Sequence, residues 1–252
     1  IEVVAVNDLT DTKTLAYLLK HDSNYGTYEH DVTYDEASII IDGKPVRVLA
    51  EKDPAVLPWG EMGVDVVIES TGLFTDEEGA GKHVQAGAKR VVISGPTKSA
   101  GVDMIVLGAN DDKVEGSTQV VSNASCTTNS LGAVMAILDS EFGVQKSLLT
   151  TVHSYTNDQN ILDVKHAKDK RRARAAAMNI IPTSTGAAKA IGKVIPELNG
   201  KLNGFSLRVP TPDVSIVDLN CLVKRSVTKE EINEIFKNAS QNGYKGLIEY
   251  DD

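Results

Sequence analysis

Cysteine is scarce in this sequence. Cys126 and Cys221 are its two cysteines among 252 residues, which is too few for a disulfide scaffold. The sequence also opens without a charged-then-apolar leader, so a cytoplasmic location, where thiols stay reduced, is expected. Both cysteines are therefore interpreted as thiols.

Long apolar runs are absent, although 41% of the residues are hydrophobic. This composition excludes a membrane span, a disordered chain and a collagen-like or repeat array. Positive charge is also in deficit, because 26 Lys and Arg stand against 35 Asp and Glu, for a net charge of −9. An acidic chain repels phosphate backbones, so nucleic acid is not expected as the main partner.

The first part of the sequence alternates short apolar segments with helical patterns. The predicted strands lie at 1–6, 39–41, 46–49, 64–68, 90–93 and 104–107, and the predicted helices at 11–20 and from 76 to 87. Asp42-Gly43 predicts a hairpin turn between two of these strands. Apolar strands that alternate with helices are typical of a parallel sheet covered on both faces, with the strand at 64–68 buried.

The pattern changes after residue 124. A long helix is predicted over 127–142, and longer strands follow at 147–153, 204–209 and 214–223. In the last strand, either Ile216, Asp218, Asn220 and Leu222 or their neighbours face inwards. Thr228-x-x-Glu231 is a capping box that opens a final helix through about Ala239. This part predicts an α+β domain with an antiparallel sheet.

The most specific stretch is 122–130, Ser-Asn-Ala-Ser-Cys-Thr-Thr-Asn-Ser, which runs from a strand end into the long helix. A cysteine at a helix N-terminus faces the positive end of the helix dipole, which favours the thiolate. A buried structural cysteine is the alternative, and it is the favoured interpretation of Cys221 in mid-strand. His153 closes an apolar strand and opens a polar loop, so it is the candidate base for Cys126, although a lone histidine is often structural.

Four more segments follow in order: 153–159, 171–177 (R-R-A-R-A-A-A), 180–188 (I-I-P-T-S-T-G-A-A) and 205–212 (F-S-L-R-V-P-T-P). Together with 122–130 they resemble the phosphorylating glyceraldehyde-3-phosphate dehydrogenase family over essentially the whole chain. The resemblance implies a doubly wound dinucleotide-binding (Rossmann) domain over 1–124 and an α+β catalytic domain with a mostly antiparallel sheet over 125–252. It also implies a homotetramer with NAD as cofactor, and no metal.

The resemblance implies oxidation of glyceraldehyde 3-phosphate to 1,3-bisphosphoglycerate in glycolysis, through a thioester on Cys126 with His153 as base. Inorganic phosphate would then release the acyl group. By the same resemblance, the phosphate of the substrate is expected at Thr156, Asp158 and Arg208, and the attacking phosphate at Ser125, Thr127, Thr185 and Gly186. Small hydroxyls, a glycine N–H and an arginine suit phosphate recognition, although Thr185-Gly186 could simply cap the next helix.

The resemblance further implies a set of cofactor residues: Asn7, Asp8, Lys52, Ser70, Thr71, Gly72, Ser94 and Asn157. Asp8 would contact the adenosine ribose and favour NAD over NADP, because a 2′-phosphate would meet a carboxylate; an ordinary turn aspartate is the alternative. Lys52 stands where the family usually has Arg. Ser130 replaces the second cysteine common in the family motif, and Val164-Lys165 lies where Leu-Pro is frequent in NAD-specific members.

The fingerprint G-x-G-x-x-G should precede Asp8 by about 20 residues, yet seven residues precede it. We therefore expect that the sequence lacks the family's first strand and C-terminal segments and is part of a longer protein. The basic run 165–174 is interpreted as a solvated or subunit-contacting loop, since it is one run in an acidic chain. An erythrose-4-phosphate dehydrogenase, an NADP-using paralogue, and a truncated inactive chain that acts as a binding module remain as alternatives.

Overall fold

The computed structural model of the protein describes residues 1–251. The chain divides into two compact units, one over residues 1–92 and one that begins at Ile93. The domain boundary expected between residues 124 and 125 stays a prediction. Among the described residues, no helix combines the length and the hydropathy needed to cross a bilayer.

The first unit carries two helices and a series of short strands. In chain order these are β1 (Ala5–Asn7), α1 (Thr12–Lys20), β2 (His21–Asp22), β3 (Gly26–Thr27), β4 (Val32–Tyr34), β5 (Ser38–Ile41), β6 (Lys44–Leu49), β7 (Val66–Glu69), α2 (Glu77–Gln85) and, at the unit boundary, β8 (Arg90–Ile93). β1 pairs in parallel with β6, while β6, β5 and β4 pair antiparallel. The sheet beside β1 is therefore mixed and not purely parallel.

The hairpin predicted at Asp42-Gly43 is confirmed. Both residues have positive φ, +49° and +77°, which is the conformation of a type I′ turn, and Ile41 pairs with Lys44 across it. The first strand is shorter than predicted, since the ladder with β6 spans Ala5–Asn7.

The buried strand predicted at 64–68 is only partly right. β7 begins at Val66, and the side chains of Val66 and Ile68 are 50% and 69% exposed. The unit's core is formed instead by Leu57, Trp59, Val64 and Ala88. Residue 69, a glutamate, is buried at the end of this strand.

The second unit contains the longer elements. They are β9 (Asp103–Met104), β10 (Val120–Ser122), α3 (Cys126–Phe142), β11 (Val144–Ser154), β12 (Ile181–Ser184), α4 (Ala187–Val194), β13 (Leu202–Val209), β14 (Ser215–Val223) and α5 (Lys229–Gln241). β9 is shorter than the strand predicted at 104–107. The capping box is confirmed, because the Thr228 hydroxyl accepts the backbone N–H of Glu231.

A four-stranded sheet in the order β12-β13-β11-β14 organises this unit. Its two outer pairings are antiparallel, as expected, but the central pair β11 and β13 is parallel. The chain can make this parallel pair because β12 and α4 form the connection between the two strands.

One face of this sheet is covered by helices. Leu131, Met135 and Leu138 of α3 and Ile191 of α4 lie in the core beneath it. In β14 the neighbouring residues face inwards, since Val217, Leu219 and Cys221 pack against this core. Ile216, Asp218, Asn220 and Leu222 are exposed. His153 and Arg208 are register partners at the carboxyl ends of the two central strands.

Candidate active site

The turn from β10 into α3 brings Cys126 to the first position of that helix. Ala124 adopts a φ of +57°, and its N–H donates to the Ser122 hydroxyl at 3.1 Å. Ser125 is the N-cap, and its Oγ accepts the backbone N–H of Thr128. Cys126 is exposed, and its thiol lies at the positive end of a 17-residue helix.

The structure brings Cys126 and His153 together. Cys126 Sγ lies 3.2 Å from Nε2 of His153, which is 8% exposed. Nδ1 of His153 lies 2.8 Å from the carbonyl oxygen of Ser154, an acceptor, so Nδ1 carries the proton. Nε2 is therefore free to accept the thiol proton, which is the arrangement required of a general base.

Arg208 lies next to His153 across the parallel pair. Its Nη1 donates to the carbonyl of Ser154 at 3.0 Å and to the hydroxyl of Thr156 at 3.2 Å. Nη1 also lies 3.3 Å from Nδ1 of His153, but Nδ1 is itself a donor, so this approach is a contact only. The buried Nε of Arg208 has no hydrogen-bond partner.

The charge of Arg208 is poorly compensated. Burial lowers the pKa of its guanidinium, and the neighbouring charge of Arg172 lowers it further, whereas Asp158 raises it. An arginine stays protonated regardless, so a bound anion would offset this partly buried charge. An uncompensated positive charge of this kind suits a phosphate group.

Asp158, one of the residues expected at the phosphate, is bound by protein groups. Its carboxylate pairs with Nη1 of Arg172 and with Nε2 of His166, the latter at 3.2 Å. Nδ1 of His166 accepts hydrogen bonds from the N–H groups of Lys168 and Asp169. Nε2 therefore carries the ring proton and donates a hydrogen bond to Asp158. Burial by itself raises the pKa of Asp158, but the bonds from Arg172 and His166 outweigh it, and the pKa lies below its usual value.

Arg172 is the residue of this region that sequence reasoning missed. It belongs to the basic run that was expected to be a solvated or subunit-contacting loop, and Arg171 and Arg174 in that run are more than half exposed. The Arg172 side chain is only 19% exposed, and its Nε donates to Thr183 at 2.9 Å. Charge pattern alone could not separate these arginines, because the partners of Arg172 come from distant segments.

The residues expected at the attacking phosphate lie at two helix starts. Thr127 is buried within the first turn of α3, after the N-cap Ser125. Thr185 accepts the N–H of Ala187 at 3.3 Å, and Gly186 is the N-cap of α4. The capping interpretation of Thr185-Gly186 is therefore confirmed, and the exposed Gly186 leaves its backbone accessible.

The expected cofactor residues of the first unit follow strand ends. Asn7 closes β1 and bonds through its amide to both backbone groups of Glu51. Asp8 is exposed and accepts the N–H of Thr10 at 2.8 Å, which is the hydrogen bond of an ordinary turn aspartate, the alternative considered above. Lys52 is exposed.

Ser70, Thr71 and Gly72 follow β7 and are exposed. Both the hydroxyl and the backbone N–H of Thr71 donate to Glu69. Ser94 and Asn157 belong to the second unit, where both are exposed.

Two protein-family models match the sequence. Residues 1–77 match the model described as the NAD binding domain of glyceraldehyde 3-phosphate dehydrogenase, and residues 125–252 match the one described as its C-terminal domain. Glyceraldehyde-3-phosphate dehydrogenase from Geobacillus stearothermophilus is 54% identical over 251 residues, which are 99% of this chain and 74% of that protein. The relatives named glyceraldehyde-3-phosphate dehydrogenase 1 from Bacillus subtilis and glyceraldehyde-3-phosphate dehydrogenase from Streptomyces coelicolor are 53% and 54% identical, again over 99% of this chain and 74% of each relative. This identity extends over almost the whole chain, and both of the family's domains are matched. The chain therefore belongs to the glyceraldehyde 3-phosphate dehydrogenase family.

Proposed function

We propose that this chain catalyses the NAD-dependent oxidation and phosphorylation of glyceraldehyde 3-phosphate to 1,3-bisphosphoglycerate, a step of glycolysis. The observation that carries the proposal is the approach of Cys126 Sγ to His153 Nε2, 3.2 Å apart at a helix start. Relatives that share more than half of the residues bear the name of this enzyme. The activity is that of an oxidoreductase acting on an aldehyde.

Cys126 is the proposed nucleophile. Its sulfur bonds to the aldehyde carbon while Nε2 of His153 takes the thiol proton and then donates it to the aldehyde oxygen, which becomes the hydroxyl of a hemithioacetal. The backbone N–H of Cys126 at the helix start supports the negative charge that develops on this oxygen. The hydrogen bond from Nδ1 of His153 to Ser154 keeps the ring oriented to exchange protons with the thiol and with the hemithioacetal oxygen.

Oxidation leaves a thioester on Cys126. His153 takes the hydroxyl proton of the hemithioacetal, and the carbon becomes an acyl carbon still bonded to sulfur. When bound, NAD supplies the acceptor for the hydride that leaves this carbon. Inorganic phosphate then bonds to the acyl carbon, the carbon–sulfur bond breaks, and the acyl phosphate departs from a regenerated thiolate.

Phosphate binding is proposed at the residues around Arg208. Its uncompensated charge supports a role at the phosphate of the substrate, together with the hydroxyl of Thr156. A carboxylate repels a phosphate dianion, so we propose that Asp158 acts by holding Arg172 and not by direct contact. Ser125, Thr127, Thr185 and Gly186 are proposed for the attacking phosphate, because helix starts offer N–H donors to anions.

The chemistry of the expected cofactor residues fits NAD. Asp8 offers an exposed carboxylate for ribose hydroxyls, and Gly72 has a φ of +74° with open space where a side chain would begin. We propose that these two hold NAD with the rest of the set: Asn7, Lys52, Ser70, Thr71, Ser94 and Asn157. The carboxylate of Asp8 favours NAD over NADP.

A homotetramer in the cytoplasm is proposed on two further observations. The uncovered face of the large sheet exposes apolar side chains, among them Leu148, Phe205 and Ile216 at 62%, 47% and 68%. A soluble enzyme gains by covering such a face with another copy of itself. Cys126 and Cys221 are both free, which fits a reducing compartment. Size-exclusion chromatography with light scattering measures the assembly directly.

The activity is tested by following acyl phosphate and reduced cofactor together. The purified gene product should need inorganic phosphate and prefer NAD to NADP and glyceraldehyde 3-phosphate to erythrose 4-phosphate. His153→Asn can keep the bond to Ser154 yet lacks the base, so single-turnover acylation should slow by about 10²–10⁴-fold. No turnover with any pairing of aldehyde and cofactor would contradict the proposal and favour a binding module.

A further inference from the structure

A chain of hydrogen bonds runs through the interior of the first unit to the loop after β7. Trp59, His83 and Glu69 are 4%, 4% and 3% exposed. The indole Nε1–H of Trp59 donates to Nδ1 of His83 at 3.0 Å, and Nε2 of His83 lies 3.0 Å from Oε2 of Glu69. Trp59 and His83 are also stacked, with ring centroids 6.3 Å apart. The reaction proposed above uses none of the three.

Trp59 determines which nitrogen of His83 carries the proton. An indole N–H can only donate, so Nδ1 of His83 accepts and is unprotonated. Nε2 then holds the ring proton and donates it to Glu69. Trp59 therefore fixes the orientation in which His83 presents an N–H donor to the buried carboxylate of Glu69.

The second carboxylate oxygen of Glu69 holds the loop. Oε1 accepts the backbone N–H of Thr71 at 2.8 Å and also the Thr71 hydroxyl. That hydroxyl in turn accepts the N–H of Leu73 at 3.1 Å. Gly72, with φ in the left-handed region, lies between these two anchored residues. One buried carboxylate thus sets the backbone path of residues 70–73.

Glu69 is ionised at neutral pH in this setting. Burial alone raises the pKa of its carboxyl, but the hydrogen bonds from His83 and Thr71 outweigh burial, and the pKa lies below its usual value. A buried charge is unfavourable unless its hydrogen bonds are complete, and an apolar side chain would serve packing better. The carboxylate is needed here as an acceptor for the loop.

We propose that Glu69 is a positioning residue for the cofactor: held by His83 and Trp59, it keeps the loop Ser70–Thr71–Gly72 in the conformation that binds the dinucleotide. The inference rests on the proposed function, which assigns this loop to NAD. Glu69 itself is buried, and the groups that donate hydrogen bonds to its carboxylate shield it from the cofactor. Its influence acts on cofactor affinity and not on the bonds made and broken at Cys126.

The main test is Glu69→Gln in the complete gene product. The substitution keeps the shape but replaces one oxygen by an amide NH₂, which must face a donor from His83 or from Thr71. We expect the Kd for NAD, measured by calorimetry, to rise about 10- to 100-fold, as lost hydrogen bonds to a charged group predict. KM for NAD should rise in parallel, while kcat at saturating NAD and KM for the aldehyde change less than twofold.

Two readouts report on the loop and the network without turnover. Hydrogen exchange at the amides of Thr71 and Leu73 should accelerate in Glu69→Gln. Trp59 is the single tryptophan of the sequence, so fluorescence excited at 295 nm should change in its emission maximum. Asp42→Asn is the matched control, because it alters an exposed carboxylate–histidine pair of the same unit, with Asp42 Oδ2 2.5 Å from His30 Nδ1. It should leave NAD affinity unchanged.

A second pair of variants guards against misfolding. His83→Gln can still accept from Trp59 and donate to Glu69, whereas His83→Leu can do neither. We expect His83→Gln to bind NAD at least fivefold more tightly than His83→Leu. Equal affinities in this pair, or wild-type affinity in a cooperatively folding Glu69→Gln, would overturn the inference and leave the proposed function intact. A wild-type protein that does not bind NAD would instead overturn the proposed function.

Discussion

Cys126 and Cys221 are two thiols in opposite surroundings. Cys126 is exposed at a helix start beside His153, whereas burial raises the pKa of Cys221, whose Sγ lies 3.3 Å from the Ser147 hydroxyl. Iodoacetamide reacts with thiolates, so it should label Cys126 at least tenfold faster than Cys221 at neutral pH. Peptide mass spectrometry after timed quenching measures both rates. Cys221→Ser should retain the fast phase, and comparable rates at the two sites would contradict the assignment of the nucleophile.

Arg208 should discriminate between aldehydes with and without phosphate. The charge of its guanidinium is poorly compensated, and hydrogen bonds to charged groups contribute about 1.5–3 kcal/mol each. Arg208→Ala should therefore lower kcat/KM for both aldehydes unequally. The fold loss with glyceraldehyde 3-phosphate should be about 10 to 100 times the fold loss with glyceraldehyde. Arg174→Ala, which removes an exposed pair with Asp163, is the control and should change neither. Equal losses with both aldehydes would indicate a packing role for Arg208.

The end of α2 depends on a close backbone approach. Gly87 has a φ of +102°, and a Cβ added there would lie 2.5 Å from Cα of Gly60. Gly87→Ala should thus lower the free energy of unfolding by more than about 1–2 kcal/mol. Gly81→Ala, inside α2 with open space at its Cβ, should raise it by about 0.5–1 kcal/mol. Urea unfolding followed by Trp59 fluorescence tests both, and a neutral Gly87→Ala would show that the approach can relax.

Elements were predictable where a local signal marks their ends. Asp11 and Asp76 cap α1 and α2, and Ser125 and Thr228 do the same for α3 and α5, so these helices begin within one residue or so of prediction. Strands were less well bounded, because their length depends on partners distant in sequence. The parallel pairing of β11 with β13 and the exposure of Val66 and Ile68 are tertiary facts of this kind.

At the scale of the whole molecule, sequence reasoning identified Cys126 and His153, and the structure places their reactive atoms 3.2 Å apart. It missed Arg172 and the Trp59–His83–Glu69 network, since a single histidine or arginine in a helix or loop carries no signal of its partner. The roles assigned to the site residues stay predictions that the experiments above decide.

Acid should destabilise the molecule through carboxylates in both units. The pKa values of Glu69, Asp158 and Asp169 are lowered by folding, from 4.5 for the glutamate and 3.8 for the aspartates. A carboxylate whose folded pKa is depressed contributes stability that is complete above the unfolded pKa and is lost as pH falls through the folded value. The free energy of unfolding should therefore decline below about pH 4.5 and continue to fall below pH 3.8.

Glu69→Gln separates the buried carboxylate from the others. Glu69 is 3% exposed, whereas the Asp158 side chain is 40% exposed and more strongly screened by solvent. We expect Glu69→Gln to be less stable than the wild type at pH 7 and to lose less stability between pH 5 and pH 3.5, because the titrating group is gone. Asp158→Asn should reduce the loss of stability over the same pH interval by a smaller amount. Urea unfolding at each pH measures the slopes, and parallel curves for wild type and Glu69→Gln would mean that the pKa of Glu69 is not depressed in the folded protein.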